Sequence, residues 1–289
     1  MRSSSVLRRM LEEPGIIVLP GAYDALSARL AERAGFAAIF TTGFGFSAAA
    51  LGQPDFGLVT MSETMDRVRH IVNAVSVPVV ADMDTGYGNP LNTRRTVREC
   101  VMAGAAGIIL EDQLWPKKCG HFEGKKVIPA EDHVAKLRAA VDALGADDLV
   151  IIARTDARAP LGLEEAIRRG RMYRDAGADV VFVEAPQSVD ELKTVRAAIP
   201  DVPLFANMVE GGKTPLLTYR ELQELGYKVV VFPLSALFAA TKAIEAVYAE
   251  LFSKKTTAGV VDRLTPFHEF EEIVGVRELR ELEARYGVE

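Results

Sequence analysis

Short apolar runs rich in β-branched residues alternate with amphipathic helical stretches eight times along the 289 residues, and that alternation leaves few folds open. The runs fall at 16–19, 37–41, 77–81, 107–110, 149–153, 180–183, 203–206 and 228–232, with helical segments such as 24–34, 92–103, 163–176 and 189–198 between them. Several helices are predicted to end on the same punctuation, Ala34-Gly35, Ala103-Gly104, Ala176-Gly177 and Leu225-Gly226, where glycine takes the left-handed conformation that closes a helix. Parallel βα units of this kind build either a closed (β/α)8 barrel or an open doubly wound sheet. No Gly-x-Gly-x-x-Gly opens a helix after the first strand, so an α/β fold of the TIM-barrel type is the expectation. Such a barrel takes about 250 residues. The chain is therefore read as one barrel domain over 1–289, with a C-terminal helical segment from about residue 240.

Composition narrows the partners. A formal net charge of −6 argues against a nucleic-acid surface, which needs clustered Lys and Arg, but leaves small anionic ligands open. No apolar stretch approaches the ~18 residues of a spanning helix. The basic start around Arg8 and Arg9 lacks the apolar run of a signal peptide, and two cysteines make no disulfide framework. The expectation is a cytoplasmic protein without a membrane partner.

In a barrel the βα loops surround one cavity at the C-terminal ends of the strands. Here those ends carry acids: Asp82 and Asp84 after the third run, Glu111-Asp112-Gln113 after the fourth, Arg154-Thr155-Asp156 after the fifth, Glu184 after the sixth and Asn207 after the seventh. The second run leads into Thr41-Thr42-Gly43-Phe44-Gly45, and the eighth into Pro233-Leu234-Ser235. Carboxylates gathered so closely repel, and with no His among them a hard cation is the better remedy than a shared proton. Magnesium suits an all-oxygen site and keeps its own waters; manganese is a substitute. Asp82 and Asp84, two apart, would share one face of an extended strand, with Glu111 arriving from the next. The bland alternative is that one of the pair caps a loop or pairs with Arg154.

The long connection after the fourth strand, Leu114-Trp115-Pro116-Lys117-Lys118-Cys119-Gly120-His121-Phe122-Glu123-Gly124, is polar, basic and glycine-punctuated. It reads as a lid whose Lys117, Lys118 and His121 could hold a substrate carboxylate. Positive neighbours would lower the pKa of Cys119 and make it readily ionised. The alternative is a surface loop with an incidental cysteine. Cys100 falls inside a helix and is read as core; His70 and His133 are read as structural or solvent-facing.

The runs Glu111-Asp112-Gln113-Leu114-Trp115-Pro116-Lys117-Lys118-Cys119-Gly120-His121, Asp82-Met83-Asp84-Thr85-Gly86-Tyr87-Gly88-Asn89 and Leu51-Gly52-Gln53-Pro54-Asp55 resemble motifs of the isocitrate lyase and phosphoenolpyruvate mutase superfamily, and the likeness extends over nearly the whole chain. It is nearest to the 2,3-dimethylmalate lyase and petal death protein group. The resemblance implies magnesium among Asp82, Asp84 and Glu111, with Asp55 contributing through water. It implies a substrate α-carboxylate on the backbone of Thr42, Gly43 and Phe44, with Phe40, Gly120, Asn207 and Pro233 also bordering the substrate. Cys119 would be the catalytic acid, Arg154 would stabilise the enolate-like product, and Lys117, His121 and Glu184 would complete the machinery. The last barrel helix would be exchanged between subunits of a homotetramer.

Departures from the pattern choose among reactions. Phosphonomutases of the superfamily lack the lid cysteine. Methylisocitrate lyases hold a third carboxylate with late arginines, where this chain aligns Phe238 and either Pro266 or Phe267. Oxaloacetate hydrolases carry a hydroxyl residue where this chain has Pro233. Phe40 replaces a tyrosine, so base duty falls to water or an acid. The expectation is cleavage of a 2-hydroxy dicarboxylate, a substituted malate such as 2,3-dimethylmalate, to an α-keto acid and a small carboxylate. Methylisocitrate cleavage, hydrolysis or decarboxylation of the 2-oxo dicarboxylate oxaloacetate, a carboxyphosphonoenolpyruvate mutase and a non-catalytic dicarboxylate-binding scaffold are the alternatives. Beyond residue 258, Phe267, Phe270, Ile273 and Val274 form an apolar stripe at helical spacing that needs a surface to cover.

Overall fold

In the computed structural model, which describes residues 3–287, the eight apolar runs are eight parallel strands closed into a barrel in chain order. They are β1 (Ile17–Ala22), β2 (Ile39–Thr41), β3 (Val79–Asp82), β4 (Gly107–Glu111), β5 (Val150–Thr155), β6 (Val180–Val183), β7 (Leu204–Asn207) and β8 (Val229–Phe232). The seam is a parallel ladder between first and last strands, from Ile17 opposite Val229 to Pro20 opposite Phe232. The four helix-ending glycines, Gly35, Gly104, Gly177 and Gly226, all have φ between +82° and +100°, as their sequence positions require.

Strands buried on both faces need apolar side chains in both directions. One set, including Leu19, Phe40, Val80, Ile109, Ile152, Phe182, Phe205 and Val231, fills the barrel interior. Leu7, with Met10 and Leu11, brings the N-terminal helix Ser3–Glu12 into the same cluster and plugs the barrel floor. The alternate residues, such as Ala81, Ile108, Leu110, Ile151 and Ala153, pack outward beneath the helices. Each fully buried large aliphatic or aromatic side chain contributes about 1.5–3 kcal/mol relative to exposure. This double layer therefore fixes the register.

Because strand side chains alternate, the residue two beyond each top-layer interior side chain also faces inward. Two beyond Phe40, Val80, Ile109, Ile152, Phe182, Phe205 and Val231 stand Thr42, Asp82, Glu111, Arg154, Glu184, Asn207 and Pro233. The core pattern thus aims the polar residues at the barrel mouth.

The chain divides into two compact units, Met1–Ala236 and Leu237–Glu289. The second holds most of the helix Ser235–Lys254, then the helices Phe267–Val274 and Val276–Tyr286, none of which contains a buried residue. Phe267 and Phe270 of the predicted stripe are exposed. Among the described residues no helix is long and apolar enough to cross a membrane.

Candidate active site

The carboxylates converge, but by a route the strand pattern does not predict. β3 ends at Asp82, so Asp84 shares no strand face with it. Asp84 instead adopts a left-handed conformation (φ +49°), its amide donating to Asp82 Oδ1 at 3.2 Å. The other oxygen of Asp82 accepts from the Gly43 amide at 3.2 Å. A Cβ on Gly43 would stand 3.0 Å from Asp82 Oδ2, which explains the need for glycine at this close approach.

The Lys117 ammonium stands among these acids, 2.8 Å from Asp55 and 2.7 Å from Asp84 Oδ1. The Asp84 contact is an ion contact whose angle does not make a hydrogen bond. Burial works against the Lys117 charge, but Asp84 and Asp55 outweigh it and raise its pKa well above the ordinary lysine value. Burial pushes the Asp84 carboxyl up to about 7, with Asp82 and Asp55 adding to the rise and Lys117 opposing it. Burial likewise holds Glu111 well above the carboxylate range, against the pull of Arg154, and Glu111 Oε1 has no hydrogen-bond partner. Among the described residues no three acid, imidazole or thiol groups are drawn tightly enough together to hold a metal ion as they stand. The donor chemistry nevertheless fits a hard divalent cation: the oxygens are buried, undercompensated and free of softer ligands.

The segment after β4 lies shut over the mouth. The Cys119 amide donates to the Asp55 carbonyl at 3.1 Å, and the Gln113 side chain brackets the Lys118 backbone at 2.8 and 3.0 Å. Phe122 packs against Phe44 and Phe56 with ring centroids 6.2 and 5.5 Å away, and Trp115 lies 5.8 Å from Tyr87. Gly120 sits so close to the catalytic candidates that a Cβ there would overlap Glu184 Oε1 and Arg154 Nη2. The cavity left beneath is about 50 Å³, room for a few waters, so the loop must open to admit a dicarboxylate.

Closure reverses the expectation for Cys119. Burial raises its thiol to about 11, helped by the Asp55 and Glu184 carboxylates and opposed by the His121 amide and Lys117. Adjacent lysines do not ionise it, because loss of water outweighs them. The thiol keeps its proton, the form a proton donor needs. His121 is pushed down by burial, against Glu184. Its Nδ1 accepts from the Lys213 amide at 3.0 Å, which assigns the proton of the neutral ring to Nε2, 3.5 Å from Glu184 Oε1.

Arg154 is the fixed cation of the site. Its guanidinium grips Asp156 in a two-point bond (2.8 and 3.0 Å), lies 3.3 Å from Glu111 and 3.5 Å from Glu184, and covers the Phe182 ring. Lys125, absent from the sequence reading, joins lid to barrel by donating to the Gly120 carbonyl at 2.5 Å and to Asp156 at 2.7 Å. Burial alone would raise the Asp156 carboxyl; Arg154 and Lys125 outweigh it and hold Asp156 below the carboxylate range. Behind it, buried Asp112 accepts from the Asp156 amide, Thr155, Tyr173 and Arg169 at 2.7–2.9 Å.

Comparison with known proteins places this architecture. The family described as phosphoenolpyruvate phosphomutase matches residues 7–252. The 2,3-dimethylmalate lyase of Eubacterium barkeri is 46% identical over 287 residues, 99% of each chain. The chain belongs to the phosphoenolpyruvate mutase/isocitrate lyase superfamily. Within that superfamily, an oxaloacetate acetylhydrolase bound to 3,3-difluorooxalacetate superimposes with a TM-score of 0.95 at 38% identity, covering 100% of this chain and 98% of its own. A phosphonopyruvate hydrolase in complex with oxalate and Mg²⁺ superimposes with a TM-score of 0.90 at 33% identity, covering 99% of both chains.

This superfamily member brings most of the expected residues to one cavity: Phe40, Thr42, Phe44, Asp55, Asp82, Lys117, Lys118, Cys119, Gly120, His121, Arg154, Glu184, Asn207 and Pro233 line it. Gly43, Asp84 and Glu111 stand just behind that lining. Of the three amides expected to cradle a carboxylate, Thr42 already donates to the Ala22 carbonyl and Gly43 to Asp82. Phe182, Phe205, Val209, Val231 and Leu234 complete the wall. The sequence reading missed these as site residues, although strand alternation could have pointed to Phe182, Phe205 and Val231. His70 is exposed, and His133 is buried edge-on against Tyr173 (4.6 Å), consistent with non-catalytic roles; Cys100 is core.

Proposed function

We propose that the chain is a magnesium-dependent carbon–carbon lyase that cleaves a 2-hydroxy dicarboxylate of the substituted-malate type, such as 2,3-dimethylmalate, into pyruvate or a related α-keto acid and a small carboxylate. The observation that carries the reading is the division of the cavity. Its buried cations, Lys117 and Arg154, are already matched to acids, the less buried Lys118 turns its ammonium to the Gly124 carbonyl and the Phe56 ring, and Phe40, Phe182, Phe205, Val231, Pro233 and Leu234 give the cavity an apolar wall. A third substrate carboxylate would be buried there unpaired, whereas alkyl groups fit. This favours substituted malates over methylisocitrate.

Asp82, Asp84 and Glu111 would hold Mg²⁺ or Mn²⁺, with Asp55 behind them. The bound cation would supply positive charge that favours loss of the substrate hydroxyl proton. As that proton passes to water or to a neighbouring carboxylate, the C2–C3 bond breaks, C2 becomes the keto carbon and the bond's electron pair goes to C3. Cys119 gives its proton to C3, and the departing carboxylate is complete. Arg154, locked by Asp156, faces the oxygen that gathers charge, and a guanidinium so fixed needs no reorganisation in the transition state. Glu184, Asn207 and His121 border the substrate, and the shut lid excludes water that would quench the carbanion from elsewhere. Phe40 and Pro233 serve shape, having no exchangeable side-chain proton.

Hydrolysis of oxaloacetate is the second reading, favoured by the similarity to the acetylhydrolase. Pro233 weighs against it, since it offers no hydroxyl to orient water. The assay is keto-acid release by purified protein with magnesium, from 2,3-dimethylmalate, 2-methylmalate and methylisocitrate, beside oxaloacetate consumption. Pyruvate from the substituted malates, abolished by EDTA, is the expected result. No keto acid from any substituted malate, with oxaloacetate consumed, would transfer the assignment to the hydrolase; inactivity on all would leave a binding scaffold. Cytoplasmic residence and a homotetramer formed by helix exchange belong to the same proposal.

A further inference from the structure

A second pocket of about 370 Å³ opens outside the barrel mouth and shares no lining residue with the cavity beneath the lid. It lies between the turn after β3, the first residues of the lid and the helix Ala130–Leu144. Two of its polar side chains are more than nine-tenths buried and unpartnered. Lys136 is 5% exposed and makes no hydrogen bond or ion pair with any described residue. Thr85 is 2% exposed, and its hydroxyl has no hydrogen-bond partner. A buried ammonium without a partner is costly. Burial depresses it to about 8, although Glu111 and Asp112 pull the other way. Those two acids are engaged elsewhere, Glu111 with Arg154 and Asp112 with Arg169, Tyr173 and Thr155.

Pro90, Leu114, Trp115, Ile128 and Ala135 make the apolar part of the wall; the polar remainder includes Asp132 and Asn89, both exposed, the Asn89 oxygen being occupied by the Leu91 and Asn92 amides. Gln113 is also present, but its amide is occupied by the Lys118 backbone. One buried cation, one buried hydroxyl and an apolar wall match a singly charged acid with a hydrocarbon body, while the Asp132 carboxylate, exposed to water, is screened from it. A dianionic phosphate would bring more charge than Lys136 can balance. We propose that this pocket is a second ligand site, for a small monocarboxylate with an apolar body, whose head group Lys136 and Thr85 hold. The site is independent of the lyase assignment.

Trp115, the only tryptophan of the sequence, forms part of the wall and supplies the readout. The experiment titrates the full chain with hexanoate in EDTA-containing buffer and follows tryptophan fluorescence, with sodium chloride at equal ionic strength as the control. A saturable change is expected. Lys136→Met should weaken it roughly tenfold or more, the loss of one charge-assisted hydrogen bond, and Thr85→Val by a smaller factor. Asp82→Asn, at the other cavity, should leave it unchanged. Circular dichroism of each variant checks that it is folded, and Thr85→Val serves alone if Lys136→Met is not. No saturable change, or equal affinity in wild type and the folded Lys136 and Thr85 variants, would overturn the proposal.

Discussion

A thiol that protonates a carbanion must carry its proton at neutral pH, and the surroundings of Cys119 keep it there. Burial under the closed loop is the largest effect, and two nearby carboxylates add to it. Cys119→Ser should therefore lower kcat by roughly 10²–10⁴-fold, the usual contribution of a positioned general acid. Magnesium-dependent substrate binding, read by calorimetry, should persist. His121 gives the pH dependence. Its pKa is depressed from 6.5 by burial, so the closed form binds fewer protons than an open form in which the ring meets water. Closure is thus fully favoured above about pH 6.5 and weakens as pH falls below it. The measurement is kcat/KM from pH 7.5 to 5.5. The wild type should lose activity through a rising KM, while His121→Asn, which keeps an acceptor for the Lys213 amide, should show a flatter profile. Parallel profiles would assign the acid limb to another group.

At the scale of elements, the lid is held by contacts from several parts of the barrel, and Gly120 is its tightest point. Gly120→Ala should prevent closure, because the new methyl would meet Glu184 and Arg154. Activity should fall steeply and the melting temperature only modestly, since opening the lid breaks its ion pairs to Asp55 and Asp84 but leaves both apolar layers of the strands in place. Lys125→Met is the opposite case. Lys125 and Asp156 are buried together; removing Lys125 takes away that bond and the one to the Gly120 carbonyl while Arg154 still holds Asp156, which should cost about 1–3 kcal/mol. Urea unfolding should show that loss. The strands were legible because their pattern is local: apolar runs, helix-ending glycines and the period of two that aims Asp82, Glu111, Arg154, Glu184 and Asn207 inward. The lid was legible only as a basic loop. Nothing in its linear order says that Lys117 turns to Asp55 and Asp84, that Lys125 reaches Asp156, or that burial outweighs Lys117 at the thiol. Those outcomes depend on what lies opposite the loop once it is shut. Asp84 was legible as an acid of the site but not by the route it takes there, since its left-handed backbone places it where no strand period applies.

For the whole molecule, the helix Ser235–Lys254 has no buried residue and exposes Ile244, Tyr248, Leu251 and Phe252. Exposed apolar side chains in such number are what the proposed exchange would cover with another chain. Under the proposed exchange, light scattering should give four times the 31.4 kDa of one chain, and Phe252→Glu should reduce that mass. A monomeric wild type would contradict the exchange. The barrel seam has a consequence for biosynthesis. β1 is made about two hundred residues before its partner β8, which begins at Val229. Until the ribosome has released that last strand, the sheet has two unsatisfied edges and its floor helix plugs an unfinished cylinder. A chain cut short of Val229 would be left permanently in that state, its open edges available to other strands. Premature termination would therefore yield aggregating fragments instead of a smaller working barrel.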